Sequence, residues 1–117
     1  MTKSASGVVL FISSDILGRG ENIELGNLLI HSFLNTLGAL NPKPESIVLM
    51  NSGVKLATEG SLVVGELKQL ESQGVEILAC GTCLSRLNLM DKVAVGQVSN
   101  MYTLTDTLLR AKKVISL

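Results

Sequence analysis

The alternation of short apolar runs with longer amphipathic segments is the feature that most constrains the fold of this chain. Residues 7–13 (GVVLFIS), 45–50 (ESIVLM) and 75–79 (VEILA) are short and rich in β-branched residues, as expected of strands buried on both faces. Between the first two runs, residues 23–40 carry apolar side chains at helical spacing. Strands separated by helices favour an α/β fold with a parallel sheet and right-handed crossovers.

The middle of the chain continues this pattern. A second helix is predicted to begin near Ser61 and to end before Gly74, because a glycine in the left-handed conformation commonly follows the last helical turn. A short helix follows the third strand and extends to about Leu89. Residues 92–95 are predicted to form a fourth strand, and residues 96–102 a loop.

The C-terminal segment contains one more helix and one more strand. Thr103, followed three residues later by Asp106, resembles a capping box with Asp in place of Glu and predicts a helix that extends through Ala111. Residues 114–117 form the last predicted strand. We therefore expect a single domain over residues 1–117, with a parallel sheet of about five strands and helices on both faces.

Charge and composition exclude several classes of function. The chain has 10 basic and 10 acidic residues and no Lys/Arg-rich run, so it lacks the electrostatic footprint of a nucleic-acid-binding or membrane-surface protein. Its three aromatic residues do not provide stacking platforms for single strands. We expect neither a nucleic acid nor a membrane as partner.

Apolar content bears on assembly and location. Hydrophobic residues make up 46% of the chain, which predicts that some apolar surface is buried between subunits of a homo-oligomer. The longest apolar runs are too short to span a membrane, and the first residues lack the apolar core and cleavage site of a signal peptide. A cytoplasmic, reducing location is expected, where paired cysteines are more often catalytic or metal-binding than structural.

Cys80 and Cys83 are the only cysteines, and they lie at the corner between the third strand and the following helix. A helix N-terminus stabilises a thiolate and lowers the pKa of a cysteine, so this corner is suited to a reactive sulfur. If the strand order is 2-1-3-4-5, the first and third strands are neighbours. The ligand crevice is then predicted between residues 13–22 and residues 80–83.

The Cys-Gly-Thr-Cys motif is compatible with four interpretations. A zinc site lacks ligands, because His31 is the only histidine and no other cysteine is present, so neither a metal nor a cofactor is predicted. A thioredoxin-type dithiol fits the motif but not its late position in the chain. Both cysteines could instead be small buried hydrophobic residues.

The fourth interpretation is sulfur-atom transfer through a cysteine persulfide. Cys80 would accept the sulfur, because the amides of Gly81 and Thr82 lie close enough to stabilise the anionic terminal sulfur. Cys83 would be a second thiol that attacks the persulfide and releases sulfide. Both cysteines are therefore candidate catalytic residues.

Further candidates are ligand-binding residues in the loops that follow strands. Lys55 could support a thiolate, although a solvated surface lysine is the preferred interpretation. The segment 13–22 could cradle an anion or simply form a turn. His31 is interpreted mainly as a packed or subunit-contact residue. The candidate ligand-binding residues are Ser13, Ser14, Asn51, Ser52, Gly53, Lys55, Gly81, Thr82 and Asn100.

Three segments together, MNSGVKLATEGS, VEILACGTCL and DKVAVGQVSNMY, resemble the DsrE-like domain of the YedF-type selenium-metabolism proteins, which are described as sulfurtransferase-like. The resemblance implies a flavodoxin-like fold and homo-oligomeric rings. It also implies that Cys80 is the sulfur-carrying cysteine, whereas Cys83 matches only the YedF-type subgroup. YedF-type proteins usually carry a TusA-like domain ahead of this one, and this sequence contains none. Either the sequence is an excised domain, or the chain stands alone and a separate TusA-like protein is expected as donor or acceptor.

The predicted function is therefore to carry or transfer sulfane sulfur, or selenium, on Cys80 with Cys83 as second thiol. Two alternatives remain open at this point: a non-catalytic oligomeric module with a small-anion crevice, and a C-x-x-C thiol redox protein. A sulfur carrier needs at least one accessible thiol, whereas a scaffold can bury both.

Overall fold

A single parallel sheet organises the chain in a computed structural model that describes residues 5–117. The sheet has five strands in the order β4-β3-β2-β1-β5, and every neighbouring pair is parallel. The strands are β1 Val8–Ile12, β2 Ser46–Leu49, β3 Glu76–Cys80, β4 Gln97–Ser99 and β5 Lys113–Ser116. The helices are α1 Ile23–Leu37, α2 Val64–Ser72, α3 Gly81–Arg86 and α4 Met101–Arg110, with 3₁₀ helices at Asn51–Ala57 and Met90–Lys92.

Helices cover both faces of this sheet. Strands β1 to β4 lie side by side in chain order, so that β4 forms one edge of the sheet. β5 lies on the other side of β1 and forms the opposite edge. Right-handed crossovers therefore place α1, α2 and α3 on one face and α4 on the other. Leu34 of α1, Leu67 of α2 and Leu104 of α4 are fully buried against the central strands, as their apolar spacing predicts. The predicted α/β fold with about five parallel strands is confirmed.

The order of the strands differs from the predicted 2-1-3-4-5. Because β2 lies between β1 and β3, the crevice predicted between residues 13–22 and 80–83 does not form. The loops that leave β3 and β4, which are neighbours, lead to helices on opposite faces. In open α/β sheets such a divergence creates the crevice in which ligands bind. Cys80 remains beside the crevice, since it is the last residue of β3.

The fourth strand is also displaced from its predicted position. Residues 92–95 were expected to pair, but β4 is Gln97–Ser99. Val93 makes one isolated antiparallel bridge with Thr58, and Val95 is buried. Gly96 lies between these residues and β4 and has a φ of 81°, a backbone conformation that residues with a Cβ rarely adopt. The apolar character of this segment therefore reflects packing rather than strand pairing.

The last helix begins earlier than predicted. Asn100 is its N-cap, and the Asn100 side chain accepts a hydrogen bond of 2.9 Å from the backbone N–H of Thr103. The capping box predicted at Thr103 and Asp106 is wrong, because Asp106 instead pairs with Arg110 one turn further along. The predicted loop 96–102 contains β4 and the start of this helix.

Two further segments bear on the sequence predictions. Gly74 follows α2 with a φ of 96°, which confirms its predicted left-handed conformation. The loop predicted after β2 contains the Asn51–Ala57 3₁₀ helix, whose apolar side chains are buried. Among the described residues, no helix combines the length and the apolar character needed to cross a membrane.

Candidate functional site

Both cysteines line one cavity of about 390 Å³ beside the carboxyl ends of β2, β3 and β4. This cavity lies where the loops after β3 and β4 diverge, as the observed strand order leads one to expect. Its lining residues come from the segment after β2, from the β3–α3 corner and from the first turn of α4. They are Met50, Asn51, Cys80, Thr82, Cys83, Arg86, Leu87 and Met101.

Cys80 and Cys83 differ in exposure. Cys80 ends β3 and is the N-cap residue of α3, and its side chain is only 1% exposed because the neighbouring strand and helices cover it. Cys83 lies one helical turn later and is half-buried. Neither forms a disulfide. The cavity therefore presents one deeply placed thiol and one that is more accessible.

A backbone hydrogen bond fixes the Cys83 thiol. The N–H of Asn51 donates to Sγ of Cys83 over 3.1 Å. Asn51 begins the 3₁₀ helix after β2 with a φ of 52°, a left-handed conformation that Asn tolerates better than most residues. This backbone geometry ties the end of β2 to α3 across the cavity.

The environment of Cys83 favours the thiol over the thiolate. Burial raises the pKa of the Cys83 thiol, and the adjacent Cys80 thiol raises it further, while the Asn51 N–H acts in the opposite direction. The sequence predicted a lowered cysteine pKa at the helix N-terminus. For Cys83 that prediction is wrong, because loss of hydration outweighs the favourable backbone donors.

A comparison with protein families matches the model of the DsrE/DsrF-like family to residues 26–117. This chain belongs to the DsrE/DsrF-like family. The matched region includes β2, β3 and both cysteines of the cavity. A comparison with curated protein sequences gives no match.

Three solved structures share the fold of this DsrE/DsrF-like protein. A protein of unknown function, MTH1491 from Methanobacterium thermoautotrophicum, is 21% identical with a TM-score of 0.65, and the alignment covers 94% of this chain and 97% of the other. The ychN protein from E. coli is 19% identical with a TM-score of 0.65 over the full length of both chains. BT1422 from Bacteroides thetaiotaomicron, a conserved protein of unknown function, is 21% identical with a TM-score of 0.63 over 97% of each chain.

Four predicted site residues of this DsrE/DsrF-like protein come together around the cysteine cavity: Asn51, Cys80, Thr82 and Cys83. Gly81 begins α3, where an added Cβ would lie 3.0 Å from the backbone oxygen of Ser99, so it permits the close approach of α3 and β4.

Other predicted residues make local backbone contacts outside this cavity. The Ser13 hydroxyl donates to the carbonyl of Leu117 over 3.4 Å, and the Ser14 hydroxyl accepts from the N–H of Ile16 over 3.2 Å. Asn100 caps α4, as described above. These contacts position the loops after β1 and β4.

Two further predicted residues of the segment after β2, Ser52 and Gly53, have different surroundings. Gly53 packs directly against the carbonyl of Ile12, which leaves no room for a Cβ. Ser52 lies in the same 3₁₀ helix and is half-buried. Neither residue lines the cysteine cavity.

Lys55 lines a second cavity, which lies between α1, the Asn51–Ala57 3₁₀ helix and the segment after α3 and has a volume of about 470 Å³. The predicted support of a cysteine thiolate by Lys55 therefore does not occur in this structure. No cysteine lines this larger cavity, so the smaller one is the better candidate for sulfur chemistry. Within residues 5–117, no three His, Cys, Asp or Glu side chains gather as they would around a metal ion.

His31 lines this second cavity and pairs with Glu66 of α2. Its Nε2 lies 2.9 Å from a Glu66 carboxylate oxygen. The hydrogen bond with His31 lowers the pKa of Glu66, although partial burial opposes this shift. The pair links α1 to α2, and the His31 side chain remains 43% exposed.

The sequence analysis did not select four residues that line the cysteine cavity: Met50, Arg86, Leu87 and Met101. Arg86 could have been found from its spacing, since it lies one turn after Thr82 and Cys83 on the same side of α3. Met101 depends on the position of β4, which the sequence did not reveal.

Proposed function

We propose that this protein carries or transfers sulfane sulfur, or selenium, as a persulfide on Cys80, with Cys83 as the second thiol. The observation that carries the proposal is the placement of two free thiols in one cavity at the divergence of β3 and β4. The DsrE/DsrF-like family is generally associated with sulfur relay, which supports this chemistry. A reducing cytoplasm would keep both thiols free.

The position of Cys80 suits a carrier more than a simple nucleophile. A persulfide is readily reduced by other thiols, and Cys80, which is 1% exposed, is shielded from bulk solvent while it still borders the cavity. The terminal sulfur would extend into the cavity. The Cys83 thiolate could then attack the inner sulfur, so that a Cys80–Cys83 disulfide forms and hydrosulfide leaves.

Intact mass after brief exposure to a sulfane-sulfur donor tests the proposal. The native chain should gain one sulfur, and a reductant should remove it. Cys80→Ser should prevent the gain, whereas Cys83→Ser should retain the persulfide and prolong its lifetime. Loading on Cys80→Ser but not on Cys83→Ser would assign the carrier role to Cys83 instead. Circular dichroism of both variants confirms that each one is folded.

A binding or scaffolding module is the second candidate. It is favoured by the burial of Cys80 and by the raised pKa of Cys83, since both reduce thiol reactivity. If no donor adds sulfur and neither thiol reacts with an alkylating reagent in the native state, this second function is the better one. A mass loss of two hydrogens under mild oxidation, in a chain that gains no sulfur from any donor, would instead favour a thiol redox protein.

We also propose that the protein is a homo-oligomer that exchanges sulfur with a separate TusA-like protein. Leu25, Leu28 and Leu29 form an exposed apolar stripe on α1, beside the stripe that packs on the sheet. A second copy of the chain would remove this stripe from water. Sedimentation analysis of the native chain and of Leu28→Glu tests the assembly, which the substitution should weaken.

A further inference from the structure

Arg86 gives the cysteine cavity a charge. It is the only charged residue among those that line the cavity, and no acidic side chain faces it there. Within residues 5–117, the Arg86 guanidinium has no hydrogen-bond or ion-pair partner. Arg86 is the last residue of α3, and Arg110 is the last residue of α4. Unlike Arg86, Arg110 pairs with Asp106 over 2.9 Å. Arg86 is thus a cation whose hydrogen-bonding capacity is still available beside the thiols.

The other polar groups of the cavity are neutral. Thr82 contributes a hydroxyl and Asn51 an amide, while the methionine and leucine side chains supply apolar walls. A guanidinium presents a planar fork of donors that matches two oxygens of an oxyanion. The cavity of about 390 Å³ has room for a small anion next to Cys80 and Cys83.

From this arrangement we infer that Arg86 recognises the anionic group of the sulfur donor, and that the donor is a small sulfane-sulfur oxyanion of the thiosulfate or thiosulfonate class. The inference rests on the proposed function and specifies its substrate. Arg86 would hold the sulfonate oxygens, and the outer sulfur would then face the cysteines. Arg86 is a specificity-determining residue in this scheme.

The transfer step requires no oxidant or reductant. The Cys80 thiol first releases its proton to water that enters the cavity, and the thiolate attacks the outer sulfur of thiosulfate. A new S–S bond forms to Cys80, the S–S bond of thiosulfate breaks, and sulfite leaves with the bonding electron pair. One thiolate and one dianion give one persulfide anion and one dianion, so charge is conserved.

Two alkylating reagents that differ in charge test the role of Arg86 independently of sulfur transfer. Iodoacetate is an anion and iodoacetamide is neutral, and both alkylate a thiolate. At constant ionic strength, Arg86→Gln should slow iodoacetate at Cys83 by about threefold to fivefold, the effect expected of one screened charge pair, and leave iodoacetamide unchanged. Arg110→Gln is the matched control, because it removes the same charge from the end of another helix. It should change neither rate.

Equal slowing of both reagents by Arg86→Gln, or an equal effect of both substitutions on iodoacetate, would overturn the inference. Sulfur loading is then measured with thiosulfate and with inorganic polysulfide. Arg86→Gln should lower the rate of loading from thiosulfate severalfold more than Arg110→Gln does. Loading from polysulfide but not from thiosulfate would retain the proposed function and reject this substrate class. If Arg86→Gln slows iodoacetate selectively but neither donor loads sulfur, the proposed function is rejected. Anion recognition by Arg86 is then still supported.

Discussion

The backbone N–H of Asn51 donates a hydrogen bond of 3.1 Å to the thiol of Cys83 and so links the segments that follow β2 and β3. Asn51 follows β2, and Cys83 lies in the helix that follows β3. Asn51 makes this contact from a left-handed backbone conformation, so the backbone of Asn51 positions one of the two thiols.

Substitution of Asn51 should separate the contribution of its backbone from that of its side chain. Both Asn51→Gly and Asn51→Ala remove the amide, but only glycine adopts the left-handed conformation without steric cost. We expect Asn51→Ala to be less stable than Asn51→Gly by about 1 kcal/mol. Urea unfolding of the two variants measures the difference. Equal stabilities would show that the φ of 52° at Asn51 is not required.

A second pair of substitutions tests the packing beneath the site. An added Cβ at Gly53 would collide with the carbonyl of Ile12, so Gly53→Ala should lower the free energy of unfolding by about 1–3 kcal/mol. Gly65, in α2, has no heavy atom within 4 Å of an added Cβ. Gly65→Ala should therefore stabilise the protein by about 0.5 kcal/mol. Thermal unfolding compares the two, and a neutral Gly53→Ala would contradict the close approach of the 3₁₀ helix to β1.

The raised pKa of Cys83 predicts the pH dependence of its alkylation. Because burial and Cys80 favour the neutral thiol, the rate should rise with pH at higher values than for an ordinary cysteine. Cys80→Ala removes the neighbouring sulfur and should shift this rise to lower pH. The pH–rate profile of iodoacetamide at Cys83 measures both shifts. An unchanged profile in Cys80→Ala would show that the two thiols do not interact.

Glu66 predicts a pH dependence of stability. Its pKa is lowered in the folded state by His31, so its contribution is present above the ordinary carboxyl range and is lost as pH falls through the lowered pKa. Glu66→Gln should lower the free energy of unfolding by about 0.5–1 kcal/mol at neutral pH, and the difference should shrink in acid. Urea unfolding over a pH series measures it. Glu71→Gln, on the same helix, is the control, and an equal loss there would show a general charge effect.

The sequence was sufficient to predict those elements whose side chains are strongly patterned. The first three strands and the helices between them carry apolar residues at regular spacing, and Leu67 of α2 is buried as expected. In α1, Leu25, Leu28 and Leu29 belong to the predicted apolar stripe but are exposed. The strand order was not predictable in the same way. Pairing of β1 with β2 rather than β3 depends on contacts between distant segments, which leave no local pattern.

At the site, the sequence predicted which residues come together only in part. The two cysteines and Asn51 were found from their positions after strands, and they do share a cavity. Lys55, a candidate only by its position in the loop after β2, does not line the cysteine cavity and lines the second cavity instead. The start of α4 was misplaced because β4 has three residues, two of them exposed, and thus no apolar alternation to reveal it.

The position of β5 has a consequence for how the protein folds during synthesis. β5 completes the sheet by pairing with β1, so the first strand of this sheet to be synthesised gains one of its two neighbours only when the last strand of the sheet follows. Until then, one edge of β1 exposes unpaired N–H and C=O groups to which another nascent chain could pair. Lys113 of β5 lies opposite Val8 of β1. It places a positive charge on the edge strand that is synthesised last in this sheet, and such a charge discourages intermolecular strand pairing.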